Sequence, residues 1–206
     1  MKAIIVISAI LLSNAASAQT EVKIGKQSWM TANLNAEVFR NGDSLLHAKT
    51  YEEWATAFEN KEPAWCYYDN DPGNGKKYGK LYNWFAVKDK RGLSPAGWHI
   101  PTDAEWNQLT EFLGGAEKAG TKMKSREGWD EGGNGTNSSG FSGLPGGIRD
   151  LSSGDFFKIG VEGWWWTTGD PDEEFIWCRK LNYENGWIES DNKLFYGYSV
   201  RCLRDQ

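Results

Sequence analysis

Histidine and cysteine are scarce in this chain, and that scarcity removes most catalytic chemistry before any motif is read. His47 and His99 are the only imidazoles. A Ser-His-Asp arrangement would have to use one of them as its base. His99 sits beside Trp98 in an extended arm, where a structural hydrogen bond is the simpler role, and His47 has no partner legible from spacing. Cys66, Cys178 and Cys202 are the only cysteines, and no Cys/His spacing of the metal-binding kind occurs. Three thiols cannot all pair. Three single bridges are open, each leaving one thiol over, beside the reading of three buried, unbonded side chains. No Gly-rich phosphate loop follows a strand. With 28 acidic against 23 basic residues and no basic stripe, nucleic acid is not an expected partner. Carboxylates are abundant, but Asp172-Glu173-Glu174 reads as a solvated turn rather than a tuned acid-base pair. Neither a cofactor nor a metal is expected.

Long apolar runs are nearly absent as well. The exception spans Ala3 to Leu12, preceded by Lys2 and followed by Ala16-Ser17-Ala18, the form of a signal peptide cleaved after Ala18. The run is too short for a stable membrane anchor. No cysteine follows the cleavage site, so a bacterial lipid anchor is not expected either. The expectation is a secreted or periplasmic protein, with residues 1–18 as signal peptide and 19–206 as one domain with a real core.

What the chain does have is strong local patterning. Thr102 followed three residues later by Glu105 is a capping box, and Pro101 holds the entry extended. Trp106, Leu109, Phe112 and Leu113 then recur at helical spacing, and Gly114-Gly115 supplies a left-handed stop. Thr50 and Glu53 repeat the box before Trp54, Ala57 and Phe58. Val22 to Met30 predicts a hairpin turning at Gly25, and Ala64 to Tyr68 a strand. The loop 69–75 carries Asp69 and Asp71 at calcium-loop spacing. The sixth residue of such a loop would be Asn74 rather than glycine, however, and the twelfth Lys80 rather than glutamate. A turn whose carboxylates cap amides is the better reading.

Gly79 to Val87 predicts a helix burying Leu81, Trp84 and Phe85. From Gly114 to Gly154, Gly, Ser, Asn and Thr predominate, which predicts a long loop pinned by Phe141, Leu144 and Ile148; its sequons at Asn134 and Asn137 read as solvated surface. In the strand 163–168, alternation puts Trp164 and Trp166 on one face and Trp165 on the other. Residues 175–181 predict another strand. Asn185-Gly186 predicts a tight hairpin turn, Asp191-Asn192 a further turn, and Tyr198 to Leu203 a last strand. This is an α+β plan with early helices and a terminal antiparallel meander.

Gly97-Trp98-His99-Ile100-Pro101-Thr102-Asp103-Ala104-Glu105-Trp106 resembles the signature of the Fibrobacter succinogenes major paralogous domain family. The resemblance continues through 67–72, 78–84, Gly140-Phe141, 144–147 and 198–202, in order over nearly the whole exported chain. It implies a C-type-lectin-like fold, with two or three short helices, a long loop region and antiparallel strands. It also implies distant similarity to formylglycine-generating enzymes. Cys66 and Cys202 fall where family members often carry cysteine, which makes Cys66–Cys202 the candidate bridge. Ser94 stands where many members carry a cysteine that usually partners the one at 202. The enzymes named above bind copper through two cysteines five positions apart. Cys202 matches the second, but the first would fall at Gly197, and one thiolate cannot make that site. The chain is not expected to be an enzyme, with an oxidase relative as the alternative.

Twelve tryptophans and eight tyrosines exceed what one core of this size needs, so some rings are expected at the surface. The candidate ligand-binding residues are Trp164, Tyr183 and Trp187 with Asn182, Asn185 and Asn192, all in or beside turns of the late strands. Flat rings stack on sugar C–H faces and planar amides read hydroxyls. The expected function is a secreted recognition or adhesion module for polysaccharide or cell-surface glycan. A protein partner bound through an exposed aromatic patch is the other class. Trp166 is expected inward and structural.

Overall fold

The computed structural model describes residues 20–169 and 177–206. The signal-peptide reading, the Asp172-Glu173-Glu174 turn and the start of the strand expected at 175 lie outside the described residues.

The first hairpin forms as its alternation predicts, from β1 (Glu21–Ile24) and β2 (Gln27–Met30), with Gly25 at φ 62° in the turn. After β3 (Leu46–His47), α1 (Tyr51–Glu59) starts from Thr50. The Thr50 hydroxyl accepts from the Glu53 amide, and the Glu53 carboxylate accepts from the Thr50 amide at 3.0 Å. Accepting from the Thr50 and Lys49 amides holds the Glu53 carboxyl below its ordinary value. Trp54 and Ala57 are buried on one face.

β4 (Ala64–Cys66) leads to a 3₁₀ turn and then to α2 (Pro72–Tyr78), where a loop was expected. Asp71 caps this helix by accepting from Gly73 N at 2.8 Å, and Pro72 takes a first-turn position where a missing N–H is harmless. Two glycines mask the helix to propensity reasoning. Gly75 is required by packing, because a Cβ there would lie 2.2 Å from the Tyr67 ring.

The helix expected across 79–87 is divided. β5 (Leu81–Tyr82) pairs with β4, and Asn83 then caps a single turn, α3 (Trp84–Val87). Cross-strand pairing of Trp65 with Tyr82 outweighs the helical spacing there. β6 (Trp98–His99) precedes α4 (Asp103–Phe112), whose capping box at Thr102 and Glu105 is complete. Trp106, Leu109 and Leu113 are buried, but Phe112 is 63% exposed and leaves the apolar face. Gly114 and Gly115 take φ 101° and 92°, the left-handed stop.

The first part of the expected long loop is instead α5 (Ala116–Met123), with Ala119, Gly120 and Met123 buried. Beyond it the chain runs to β7 (Gly146–Asp150), and Phe141 is fully buried on the way. Then come β8 (Phe156–Ile159), β9 (Glu162–Trp166), β10 (Cys178–Asn182), β11 (Ile188–Asp191), β12 (Tyr196–Gly197) and β13 (Leu203–Arg204). The sheets are small: β1-β2-β13-β6, β11-β10-β9, β12-β7-β8 and β3-β4-β5. Among the described residues these strands pair antiparallel except β3 with β4. The terminal meander therefore stops at β11. β12 crosses to β7, and β13 lies between β2 and β6, so the last strand closes on the first hairpin.

Three clusters exist: one around Trp98, Trp164, Trp166 and Tyr198, one around Trp29, Trp106, Phe141 and Trp165, and one around Trp54, Ala57 and Tyr68. Trp164 and Trp166 do share a face opposite Trp165, but both faces of β9 are covered. Nine of the twelve tryptophans are buried, so three clusters absorb most of the aromatic excess.

The cysteines are free, which corrects the candidate Cys66–Cys202 bridge. Cys66 packs in the third cluster and Cys202 in the first, while the Cys178 thiol donates to Asp191 O at 3.1 Å. Burial pushes the Cys66 thiol up to about 11 and those of Cys178 and Cys202 up to about 12. Two buried arginines fasten loops through carbonyls rather than carboxylates. Arg201 donates to Met30 O at 3.0 Å, to Phe141 O, and to Asn33 Oδ1 at 2.7 Å. Arg149 donates to Ala48 O at 2.7 Å and Thr50 O at 2.8 Å, just ahead of α1.

Candidate functional site

The β10–β11 hairpin exists, but not with the tight Asn185-Gly186 turn. Leu181 pairs with Ile188, leaving a six-residue loop, 182–187, in which neither Asn185 nor Gly186 takes a positive φ. Side chains build the loop instead. Asn182 Oδ1 accepts from Asn185 N at 3.0 Å, and Asn185 Oδ1 accepts from Trp187 N at 2.9 Å. The buried Lys124 donates to Asn182 O at 3.0 Å and Asn185 O at 2.8 Å. Helix α5 supports the far side, with Thr121 N donating to Gly186 O at 3.2 Å. Gly120 permits that contact, since a Cβ there would lie 2.5 Å from Trp187 O.

The loop so held forms one wall of a cleft of about 520 Å³. The other walls are a 3₁₀ turn at Asp130–Gly132, Lys158 after β8's middle, and the start of β9 at Glu162. Gly133 brings the turn close, because a Cβ there would meet Tyr183 O at 2.2 Å. Asp130 N donates to Gly160 O at 2.8 Å and Tyr183 N to Val161 O at 3.0 Å, which fixes both sides of the opening.

Four of the six expected ligand-binding residues line this cleft: Asn182, Tyr183, Asn185 and Trp187. Trp187 is 49% exposed, the only tryptophan so open. Asn182 is buried and its amide is already committed, with Nδ2 donating to Glu189 Oε1 at 2.9 Å. Trp164 departs from expectation. It is a core ring, 5% exposed and stacked on Tyr198 with centroids 5.1 Å apart. Its indole N–H still reaches Glu162 Oε2 at 2.8 Å, so it anchors a cleft carboxylate from beneath. Asn192 is exposed and outside the lining, and its backbone N–H donates to Asp191 Oδ1.

Sequence reasoning missed the charged wall. Glu162, Glu184 and Glu189 face the same space as Asp130 and Glu131, with Lys158 and Lys180 between them. Lys180 pairs with Glu189 at 2.7 Å and Lys158 with Glu162 at 3.6 Å. The carboxylates around Tyr183 push its phenol above the ordinary value, Glu184 most, then burial, then Glu131. The signal that could have found this wall is the alternation Lys180, Asn182 along β10 with Glu189 across from it. The approach of 130–133 is long-range and has no local signature.

Neither histidine lies in the cleft. His99 bridges Asp205 Oδ1 at 2.8 Å and Glu105 Oε1 at 3.0 Å, the structural bonding expected of it. His47 stacks on Trp65 with centroids 3.8 Å apart. Among the described residues no group of three or more His, Cys, Asp or Glu is arranged to hold a metal ion, and no helix is long and apolar enough to cross a membrane.

Fold and site together define a mixed α and β protein with small, mainly antiparallel sheets and a carboxylate-rich cleft walled by one exposed indole. The Fibrobacter succinogenes major domain model matches residues 22–204, and the chain belongs to that family. Searches of curated proteins and of solved structures gave no match.

Proposed function

We propose that this protein is an exported, non-catalytic recognition module that binds carbohydrate in the cleft beneath Trp187. The observation that carries the reading is the Trp187 ring, 49% exposed at the rim of a cleft while most other tryptophans are buried. A flat apolar ring offers contact area at low entropy cost, and carboxylates accept bonds from sugar hydroxyls. The family resemblance carries with it a C-type-lectin-like reading of the fold and of a cell-surface or secreted setting.

The oxidase alternative fits the residues poorly. A Cβ at Gly197 would lie 2.8 Å from the Trp54 ring, so a cysteine there collides with the core. The Cys202 thiol is fully buried in the first core cluster, with no second cysteine beside it in sequence at position 197. A protein-binding surface has one observation in its favour. Phe58 lies 5.3 Å from Phe85 and 5.7 Å from Phe195, centroid to centroid, and Phe195 is 60% exposed.

Affinity electrophoresis in gels containing neutral and charged polysaccharides tests the carbohydrate reading. Retardation of the wild type that disappears in Trp187→Ala but persists in Phe195→Ala supports it. Retardation by no polysaccharide refutes it.

A further inference from the structure

We propose that the cleft selects carbohydrate bearing free amines, that is aminodeoxy sugar units with an unblocked ammonium group, over acylated or uronate-bearing chains. The inference rests on the carbohydrate reading of the same cleft. It comes from how the charges there are matched. Both cleft lysines are already engaged, Lys180 with Glu189 and Lys158 with Glu162. Asp130, Glu131 and Glu184 line the cleft and form no ion pair among the described residues. The negative excess therefore collects around Tyr183, which feels Glu184, Glu131 and Asp130.

The backbone fixes this excess in place. The turn that carries Asp130 and Glu131 is pressed on Tyr183 through Gly133, and Glu131 sits in the left-handed region at φ 49°. The raised phenol of Tyr183 reports the same field. An anionic sugar entering here would meet three unmatched carboxylates. A neutral sugar would strip water from them without returning charge. An ammonium group satisfies the carboxylates by charge-assisted hydrogen bonds, and the attached ring lies against the indole, whose face itself attracts cations.

The test is calorimetric titration of the mature chain with three oligosaccharides: a β-1,4-glucosamine oligomer, its fully N-acetylated counterpart, and an oligogalacturonate. Titrations are run at about pH 5.5, where carboxylates are ionised and the amine is protonated, and at about pH 8.5, where the amine is largely neutral. The expected result is at least about tenfold tighter binding of the glucosamine oligomer at the lower pH, lost at the higher. Glu131→Gln with Glu184→Gln should abolish that preference, so that the glucosamine oligomer binds no more tightly at the lower pH than its acetylated counterpart. Glu52→Gln with Glu59→Gln, exposed on α1, removes the same charge elsewhere and should change nothing. If the acetylated oligomer binds as tightly, or the α1 pair weakens amine binding as much as the cleft pair does, amine selection is wrong while carbohydrate binding stands. If none of the three binds, amine selection is wrong, and the carbohydrate reading then stands or falls on the polysaccharide gels.

Discussion

The tryptophan triplet of β9 and the loop after β10 belong to the same sheet and look alike in sequence, yet they differ in what lies opposite them. Each sets aromatic rings beside a glycine, three adjacent tryptophans after Gly163 in one and Tyr183 and Trp187 about Gly186 in the other. On β9, one face meets the first core cluster and the other meets the second, so Trp164, Trp165 and Trp166 are all buried whichever way they point. In the loop, Asn182 Oδ1, Asn185 Oδ1 and the Lys124 ammonium hold the backbone, and Trp187 stays 49% exposed at the cleft. Local sequence chose the direction of each ring. Exposure was decided by distant segments, namely α5, the 130–133 turn and the returning C-terminal strand.

That contrast can be broken from its core side first. Trp166 donates its indole N–H to Tyr82 O at 2.8 Å and packs 4.6 Å from the Tyr198 ring. Trp166→Ala should cost about 3–5 kcal/mol in a chemical-denaturation curve. Next comes Arg201→Met, which leaves the carbonyls of Met30 and Phe141 and the amide oxygen of Asn33 short of a donor. Burial of that guanidinium lowers its pKa to about 9, so removing the charge returns part of the loss, and about 2–4 kcal/mol is expected. Lys124→Met should cost about 1–3 kcal/mol and, unlike the first two, should raise amide exchange chiefly in 182–187. Thr102→Ala removes one N-cap and should cost about 1 kcal/mol, with no effect on the cleft.

Much of the fold is legible wherever a local rule is strong. Both capping boxes, the Gly25 hairpin and the two-faced alternation of β9 are set by neighbours within a few residues. Helices α2 and α5 escape notice because glycine occupies positions that packing demands, at Gly75 against Tyr67 and Gly120 against Trp187. Glycine then reads as loop where it means close approach. The segment 79–87 fails for another reason, since a strand partner in β4 overrides its helical spacing. The site is half legible. Its aromatic and amide wall stands on one hairpin, whereas the carboxylates come from three separated stretches that only the tertiary structure unites. The family positions of Cys66 and Cys202 suggest a bridge that the packing into separate clusters does not make. The denatured protein should accordingly titrate as three thiols, and fewer would restore a disulfide.

The decisive measurement sets Trp187→Ala beside the wild type in one experiment, reading both melting temperature and retardation in a polysaccharide gel. A half-exposed rim ring should leave the melting temperature within about 2 °C of wild type, as for a surface substitution. Retardation should vanish at the same time. If Trp187→Ala instead melts the protein as severely as Trp166→Ala, or leaves retardation intact, the indole is not a ligand surface and the contrast between the two regions does not carry function.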